Sequence, residues 1–203
     1  MVDKVLKELR GAGKVFDFRG TGLLPPNGGI IQPLIMVEHI PVVPNVEGAE
    51  DFHQLARVLR QQGLSLHAAT DREGNVALYN PLNRLCYQAR GANSLSCGVE
   101  HMHMTVDEAW TRKQLRASAW LWQLAERDFG IPLRIARISS GQGRVNVLRR
   151  GHTSHRRVSE AAGFNDRVDP GPGYDWEYVA KAALFFKRHS HFQGAVAASG
   201  GRT

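Results

Sequence analysis

The chain has 203 residues, of which 42% are apolar, 22% are charged and two are cysteines. That length supports one sizeable domain and not two. Two cysteines cannot staple a small disulfide scaffold, and no run approaches the ~18 apolar residues of a membrane span. The formal charge of +7 favours polyanionic surroundings without choosing among nucleic acid, anionic lipid and an acidic wall. The basic residues are dispersed, with local clusters only at Arg149-Arg150 and Arg156-Arg157. With no zinc-finger spacing and no basic helix carrying heptads, neither nucleic acid nor membrane insertion is expected.

Taken in chain order, Val5 to Leu9 reads as a short helix, and the Gly/Pro-rich stretch from Gly20 to Gly29 as a loop. Residues 1–33 are therefore read as an N-terminal extension. Their first seven residues lack the apolar core of a secretory signal, so synthesis in a cytoplasm is expected. Leu34 to Val37 is a short apolar run bounded by turn residues, a buried strand whose end delivers His39. Pro41, Pro44 and Asn45 then form a loop. Phe52, Leu55, Ala56 and Leu59 recur at helical spacing until Gly63. Ser65 to Thr70 and Asn75 to Tyr79 flank Asp71-Arg-Glu-Gly74 as a hairpin. Leu95 to Val99 is another strand, ending at Glu100. Cys86 and Cys97 read as buried free thiols.

The next helix is expected to start at Thr105, where Thr105 and Glu108 have capping-box spacing. Its apolar stripe would be Val106, Trp110, Ala117, Leu121 and Leu124, and Gly130 and Pro132 would end it. Leu133 to Ile138 and Arg144 to Leu148 read as strands around a Ser-Ser-Gly-Gln-Gly turn. His155 and Asp169 fall on a loop before a last helix marked by Trp176, Val179, Ala180 and Ala183. Residues 193–203 read as a mobile tail, which leaves 34–192 as the domain proper. No internal repeat is present. Alternating strands and helices predict an α/β fold with a central mixed sheet flanked by helices.

Chemistry concentrates near the C-terminus. Two prolines and two glycines follow Asp169 and can fix its backbone so that the carboxylate points inward. Two histidines, an aspartate and a separate glutamate are the parts of a catalytic zinc site: three ligands, an open position and a general base.

Four segments carry a resemblance. They are Asn93 to Glu100, with the pattern N-S-x-S-x-G-V-E; His155 to Ser159, H-R-x-V-S; Asp169 to Trp176, D-P-G-P-x-F/Y-D-W; and the hairpin Leu66 to Val76, similar to Y-H-x-x-x-D-x-x-G-x-V. In this order they resemble the zinc-dependent N-acetylmuramoyl-L-alanine amidases of the phage-lysin and peptidoglycan-recognition-protein superfamily, over roughly residues 30 to 190. The resemblance implies cleavage of the amide between the lactyl group of N-acetylmuramic acid and L-alanine, with bacterial peptidoglycan as partner and Zn2+ as cofactor. It implies His39, His155 and Asp169 as zinc ligands and Glu100 as the base. Arg167, where the family often has a basic residue, would donate to the oxyanion. Such an enzyme without a secretory signal is expected to be a phage or prophage endolysin. A non-catalytic peptidoglycan receptor and a cytoplasmic muropeptide-recycling amidase are the alternatives.

Each assignment has a rival. His152, in a G-H pair, competes with His155, and Glu38 competes with His39, since adjacent strand residues face opposite sides. In both cases the ligand role is read onto the latter. His67 reads as a structural histidine beneath the site, His101 and His103 as wall-facing or solvated, and His189 and His191 as surface residues. Two departures stand out. Leu66 occupies the position of a family tyrosine, and Tyr87-Gln88-Ala89-Arg90 replaces W-H-A-G, an exchange expected to move substrate contacts to Gln88.

Overall fold

Strand β2 (Ile35–His39) is buried along its whole length. It pairs in parallel with β5 (Ser96–His101) on one side and β8 (Gly151–Ser154) on the other. A computed structural model describes residues 13–41 and 49–198 of the chain. Beyond β5 the sheet continues through β3 (Ala68–Thr70) and β4 (Val76–Leu78) to β1 (Val15–Asp17), in the order β1-β4-β3-β5-β2-β8. Only the β3–β4 hairpin is antiparallel. A separate two-stranded ribbon joins β6 (Arg137–Ser140) to β7 (Val145–Arg149). The architecture is thus α/β with a central mixed sheet, as its alternating elements predict.

Period-two alternation divides the sheet into two faces. Met36, Cys97, Val99 and Ala68 point to one face, where they meet α2 (Arg112–Phe129) and α4 (Trp176–Ala198) in a core built around Trp122, Leu121, Val179 and Ala183. Ile35 and Val37 point to the other, against Val158 and Ala162 of α3 (His155–Ala162). On that same face Ala69 and Ala77 lie under Phe52, Leu55 and Ala56 of α1 (Ala49–Gln61). Both helix layers exclude water from the middle strands, which is why those strands read as apolar runs rather than as alternating ones.

Several expectations are corrected. The second long helix begins at Arg112, capped by the Thr111 hydroxyl, which accepts from Gln114 N–H at 3.1 Å. Thr105 lies outside it, and the Glu108 carboxylate instead accepts from Met104 N–H at 2.7 Å and pairs with Arg72. Gly130 does end the helix, in the left-handed conformation at φ 61°. His155 is not on a loop: it opens α3, whose cap is Ser154. Gly151–Ser154 forms a strand that the sequence reading lacks, and β1 adds a further edge strand within the stretch read as an extension. The last helix runs on to Ala198, into residues read as tail. The helix expected at Val5 to Leu9 and the loop residues Pro44 and Asn45 lie outside the described residues.

Candidate metal centre and its cavity

The parallel strands deliver their ends to one place. His39 is the last residue of β2 and the register partner of Glu100 near the end of β5. His155 follows directly on β8, as the first residue of α3. Crevices beyond the carboxyl ends of parallel strands are where open α/β sheets bind ligands. Asp169 reaches the crevice from the loop before α4. Its backbone carbonyl accepts from Arg156 N–H at 3.0 Å, and its Oδ2 accepts from Ile40 N–H at 3.3 Å.

His39, His155 and Asp169 are all buried, and one ligand atom of each lies within 4.8 Å of the others. Nδ1 of His39 stands 3.6 Å and Nδ1 of His155 3.2 Å from Asp169 Oδ2. The two imidazoles meet edge to face with centroids 4.4 Å apart. Two nitrogen donors and one carboxylate oxygen, buried and converging, suit a zinc ion that keeps one position open. Burial would raise the Asp169 carboxyl, but the two histidines beside it outweigh burial and hold it well below the usual carboxylate range. Asp169 is therefore ionised within the buried cluster. Burial keeps His155 below the ordinary histidine value, in the neutral form a metal requires.

Glu100 opens into the same cavity, about 340 Å³ in volume, together with Gln88 and Arg167. Its Oε2 is buried and has no hydrogen-bond partner. Burial pushes its carboxyl up to about 7, with Asp169 adding and His39 and Arg167 opposing. A carboxyl poised near neutrality is suited to accepting and returning a proton. Leu55, Val58 and Leu59 of α1 add an apolar part to its lining. A second cavity of about 200 Å³ adjoins it and shares Leu64, Gln88, His155 and Arg167. Arg167 is exposed, 4.0 Å from Asp166.

The remaining histidines do other things. His67 donates from Nε2 to Arg84 O at 2.8 Å and accepts from Gly98 N–H at 3.0 Å, a brace beneath the site. His101 and His103 are neither wall-facing nor solvated. His101 is buried between Thr70 Oγ1 and Glu38 Oε2, 2.7 Å from each, and His103 lies 2.9 Å from Gln114 Oε1. His152 is on the far face of the sheet, stacked on Trp122 at 3.7 Å, with neither ring nitrogen hydrogen-bonded. Glu38 points to that far face too, where Trp122 Nε1–H donates to it at 2.7 Å. His189 is half-buried on α4 against Phe185, and the side chain of His191 lies outside the described residues. Leu66, in place of the family tyrosine, is core. Cys86 and Cys97 are free and buried. The sequence reading missed the contact between Gln88 and His39, where Gln88 Oε1 is 2.6 Å from His39 Nε2.

No curated protein sequence matches the chain. Its fold is shared with the N-acetylmuramoyl-L-alanine amidase LysC from Clostridium intestinale, at TM-score 0.58 and 16% identity, covering 85% of this chain and 98% of that one. The Staphylococcus aureus hydrolase AmiA gives TM-score 0.59 at 15% identity over 90% of this chain and 89% of its own. Drosophila PGRP-LB gives 0.54 at 14% identity over 80% and 97%. At these identities the likeness is one of fold. The sequence pattern of the N-acetylmuramoyl-L-alanine amidase family matches residues 32–172, from just before β2 to just past Asp169, and the chain therefore belongs to that family.

Proposed function

We propose that the protein is a zinc-dependent peptidoglycan amidase of the endolysin type, cutting the bond between the lactyl group of N-acetylmuramic acid and L-alanine of the stem peptide. The observation that carries this reading is the convergence of His39, His155 and Asp169 within 4.8 Å, in the cavity that holds the unpartnered Glu100 carboxylate. These three side chains would hold the ion. When bound, zinc supplies a positive charge beside the scissile carbonyl and a water with a pKa lowered to about 7.

The chain's own groups do the rest. Glu100, ionised, accepts the proton of the attacking water and returns it to the departing amine of L-alanine. Its place beside His39 puts it next to the ligands without making it one. Arg167 lines the same cavity and donates to the oxygen that gains charge as the amide carbon becomes tetrahedral. The apolar lining from α1 excludes water from its part of the cavity and receives the lactyl methyl and alanine side chain. A net charge of +7 draws the protein to an anionic wall. Among the described residues no helix is long and apolar enough to cross a membrane.

Digestion of purified cell wall tests the bond. New N-terminal L-alanine should appear, without new reducing sugar ends. Glycosidic cleavage uses a pair of carboxylates flanking the linkage, and here the second carboxylate, Asp169, is engaged with two histidines. Reducing ends released at a comparable rate, or a different new N-terminus, would overturn the amidase chemistry.

A further inference from the structure

Strand β5 presents Ser96, Gly98 and Glu100 in turn on the face that carries the metal centre, beside Ile35, Val37 and His39 of β2. Glu100 has a chemical reading; Ser96 and Gly98 belong to the same sequence pattern and have none. Both touch Gln88. A Cβ at residue 98 would lie 2.4 Å from Gln88 Oε1 and 2.6 Å from its Cδ, so the amide fills the space the glycine leaves. Ser96 Oγ is 2.7 Å from Gln88 Nε2. The backbone is pinned as well, since Gln88 N–H and Ala89 N–H both donate to Asn93 Oδ1, at 3.1 and 2.7 Å.

Donor accounting then orients the whole chain of contacts. The Ala92 carbonyl can only accept, so the Ser96 hydroxyl, 2.8 Å away, gives it its single proton. Towards Gln88 the same hydroxyl oxygen can therefore only accept, and the group facing it is the amide NH2. That turns the amide oxygen to His39 Nε2 at 2.6 Å. An amide oxygen cannot donate, so Nε2 carries the proton and, in the neutral ring, Nδ1 carries the lone pair. Nδ1 faces Asp169 Oδ2 at 3.6 Å. Two acceptors facing each other across that gap fit a cation between them.

We propose that Gln88, held by Ser96 and admitted by Gly98, is a positioning residue that locks His39 in the Nε2–H tautomer and so presents Nδ1 to the metal. This rests on the reading of His39 as a ligand. Gln88 replaces the expected substrate contact with a contact one step behind the metal. Outer partners of metal-bound histidines are typically worth ~10- to 100-fold in metal affinity.

The test is zinc affinity, by competition with a chromophoric chelator, on wild type, Gln88→Leu, Gln88→Glu, Gly98→Ala and His39→Ala. Thermal melting identifies any variant that fails to fold. Gln88→Leu removes the acceptor at similar volume and should lose ~10- to 100-fold in affinity. Gln88→Glu retains an acceptor for Nε2–H and should stay within about threefold of wild type, where a mere packing role would predict no such rescue. Gly98→Ala should resemble Gln88→Leu by displacing the amide. The 15N shifts of the His39 ring in the zinc-loaded protein should report a protonated Nε2 in wild type and Gln88→Glu. Wild-type affinity in folded Gln88→Leu, or equal losses in the Leu and Glu variants, would overturn the proposal. A rise in KM for Gln88→Leu with zinc affinity unchanged would return Gln88 to substrate contact and overturn it too. Wild-type affinity in His39→Ala would instead refute the ligand assignment on which it stands.

Discussion

Replacing Glu100 by glutamine should move activity and stability in opposite directions. Gln keeps the shape of the side chain but cannot accept a proton, so wall lysis should fall by ~10²- to 10⁴-fold, the usual value of a general base. The stability effect follows from burial, which raises this carboxyl from 4.5 to about 7 in the folded chain. A carboxyl raised on folding binds its proton more tightly in the native state, so native stability declines as pH climbs from the unfolded value towards the folded one. Above about 7 the full penalty applies. At about 1.4 kcal/mol per pKa unit it amounts to about 3 kcal/mol. Removing the charge should therefore raise the melting temperature of the metal-free protein at pH 8.5 by up to ~6–12 °C, given ~2–4 °C per kcal/mol at this size. At pH 5 the gain should shrink to below about 1 kcal/mol, because the folded carboxyl is already neutral. Differential scanning fluorimetry at the two pH values and turbidity loss of purified walls read both effects. Near-normal lysis by Glu100→Gln would show that another group is the base. A variant equally or less stable than wild type at pH 8.5 would refute the claim that burial of this carboxylate is uncompensated.

The two candidate histidines, His152 within β8 and His155 just after it, should separate cleanly. His155→Ala should abolish retention of the ion, where elemental analysis of wild type should find about one zinc per chain. His152→Ala should keep the ion and lose about 2–4 kcal/mol of stability, because it empties a fully buried site stacked on Trp122; zinc loss in this variant and not in the other would exchange their roles. Arg167→Ala should lower kcat by about 10²-fold at unchanged zinc content if it donates to the oxyanion, and an effect confined to KM would make it a binding contact only. Gly151→Ala should unfold the protein or cost it more than about 3 kcal/mol by chemical denaturation. The new Cβ would lie 2.2 Å from the Arg134 carbonyl oxygen at a φ of 153°, and a wild-type midpoint would show that β8 can shift.

Strands β2 and β5 were legible because each is a short run, apolar or small, ending in a polar residue, and α1 because its apolar positions keep helical spacing up to Gly63. The start of α2 was misread for a local reason. Thr105 to Glu108 and Thr111 to Gln114 both have capping-box spacing, and only the second caps the helix. Trp110 decides between them, turned into a cluster with His101, His103 and Tyr174 instead of joining the helix stripe. Helix α3 carried signals that went unused: Ser154 as cap, Val158 and Ala162 four apart, and Gly163 beyond the end. Strand β8, at Gly151-His-Thr-Ser154, has no apolar pattern at all. It is a strand because β2 offers it a register next to the core, a fact of the whole sheet and not of the segment. The same holds for the strand order and for the hand-off from Ser96 through Gln88 to His39, which joins residues no local pattern connects.

The two faces of the sheet set two buried carboxylates in contrast. Each face holds a glutamate with histidines near it: Glu38 with His101 and His152, Glu100 with His39 and His155. Residue types do not distinguish the sets; hydrogen-bond satisfaction does. Burial would raise Glu38, but the hydrogen bond with His101 and the nearby His152 imidazole hold it down at about 2. Of these His101 is in contact at 2.7 Å, and Trp122 takes the other oxygen. With both oxygens occupied, that carboxylate stays ionised. On the other face the helix layer is incomplete. Residues of α1 and His155 of α3 line a cavity of about 340 Å³ beside Glu100. Glu100 is left with an unpartnered oxygen and a value of about 7. Two carboxylates on neighbouring strands of one sheet are thereby driven to opposite protonation behaviour by their surroundings, the condition under which one can be structural and the other can exchange protons at neutral pH.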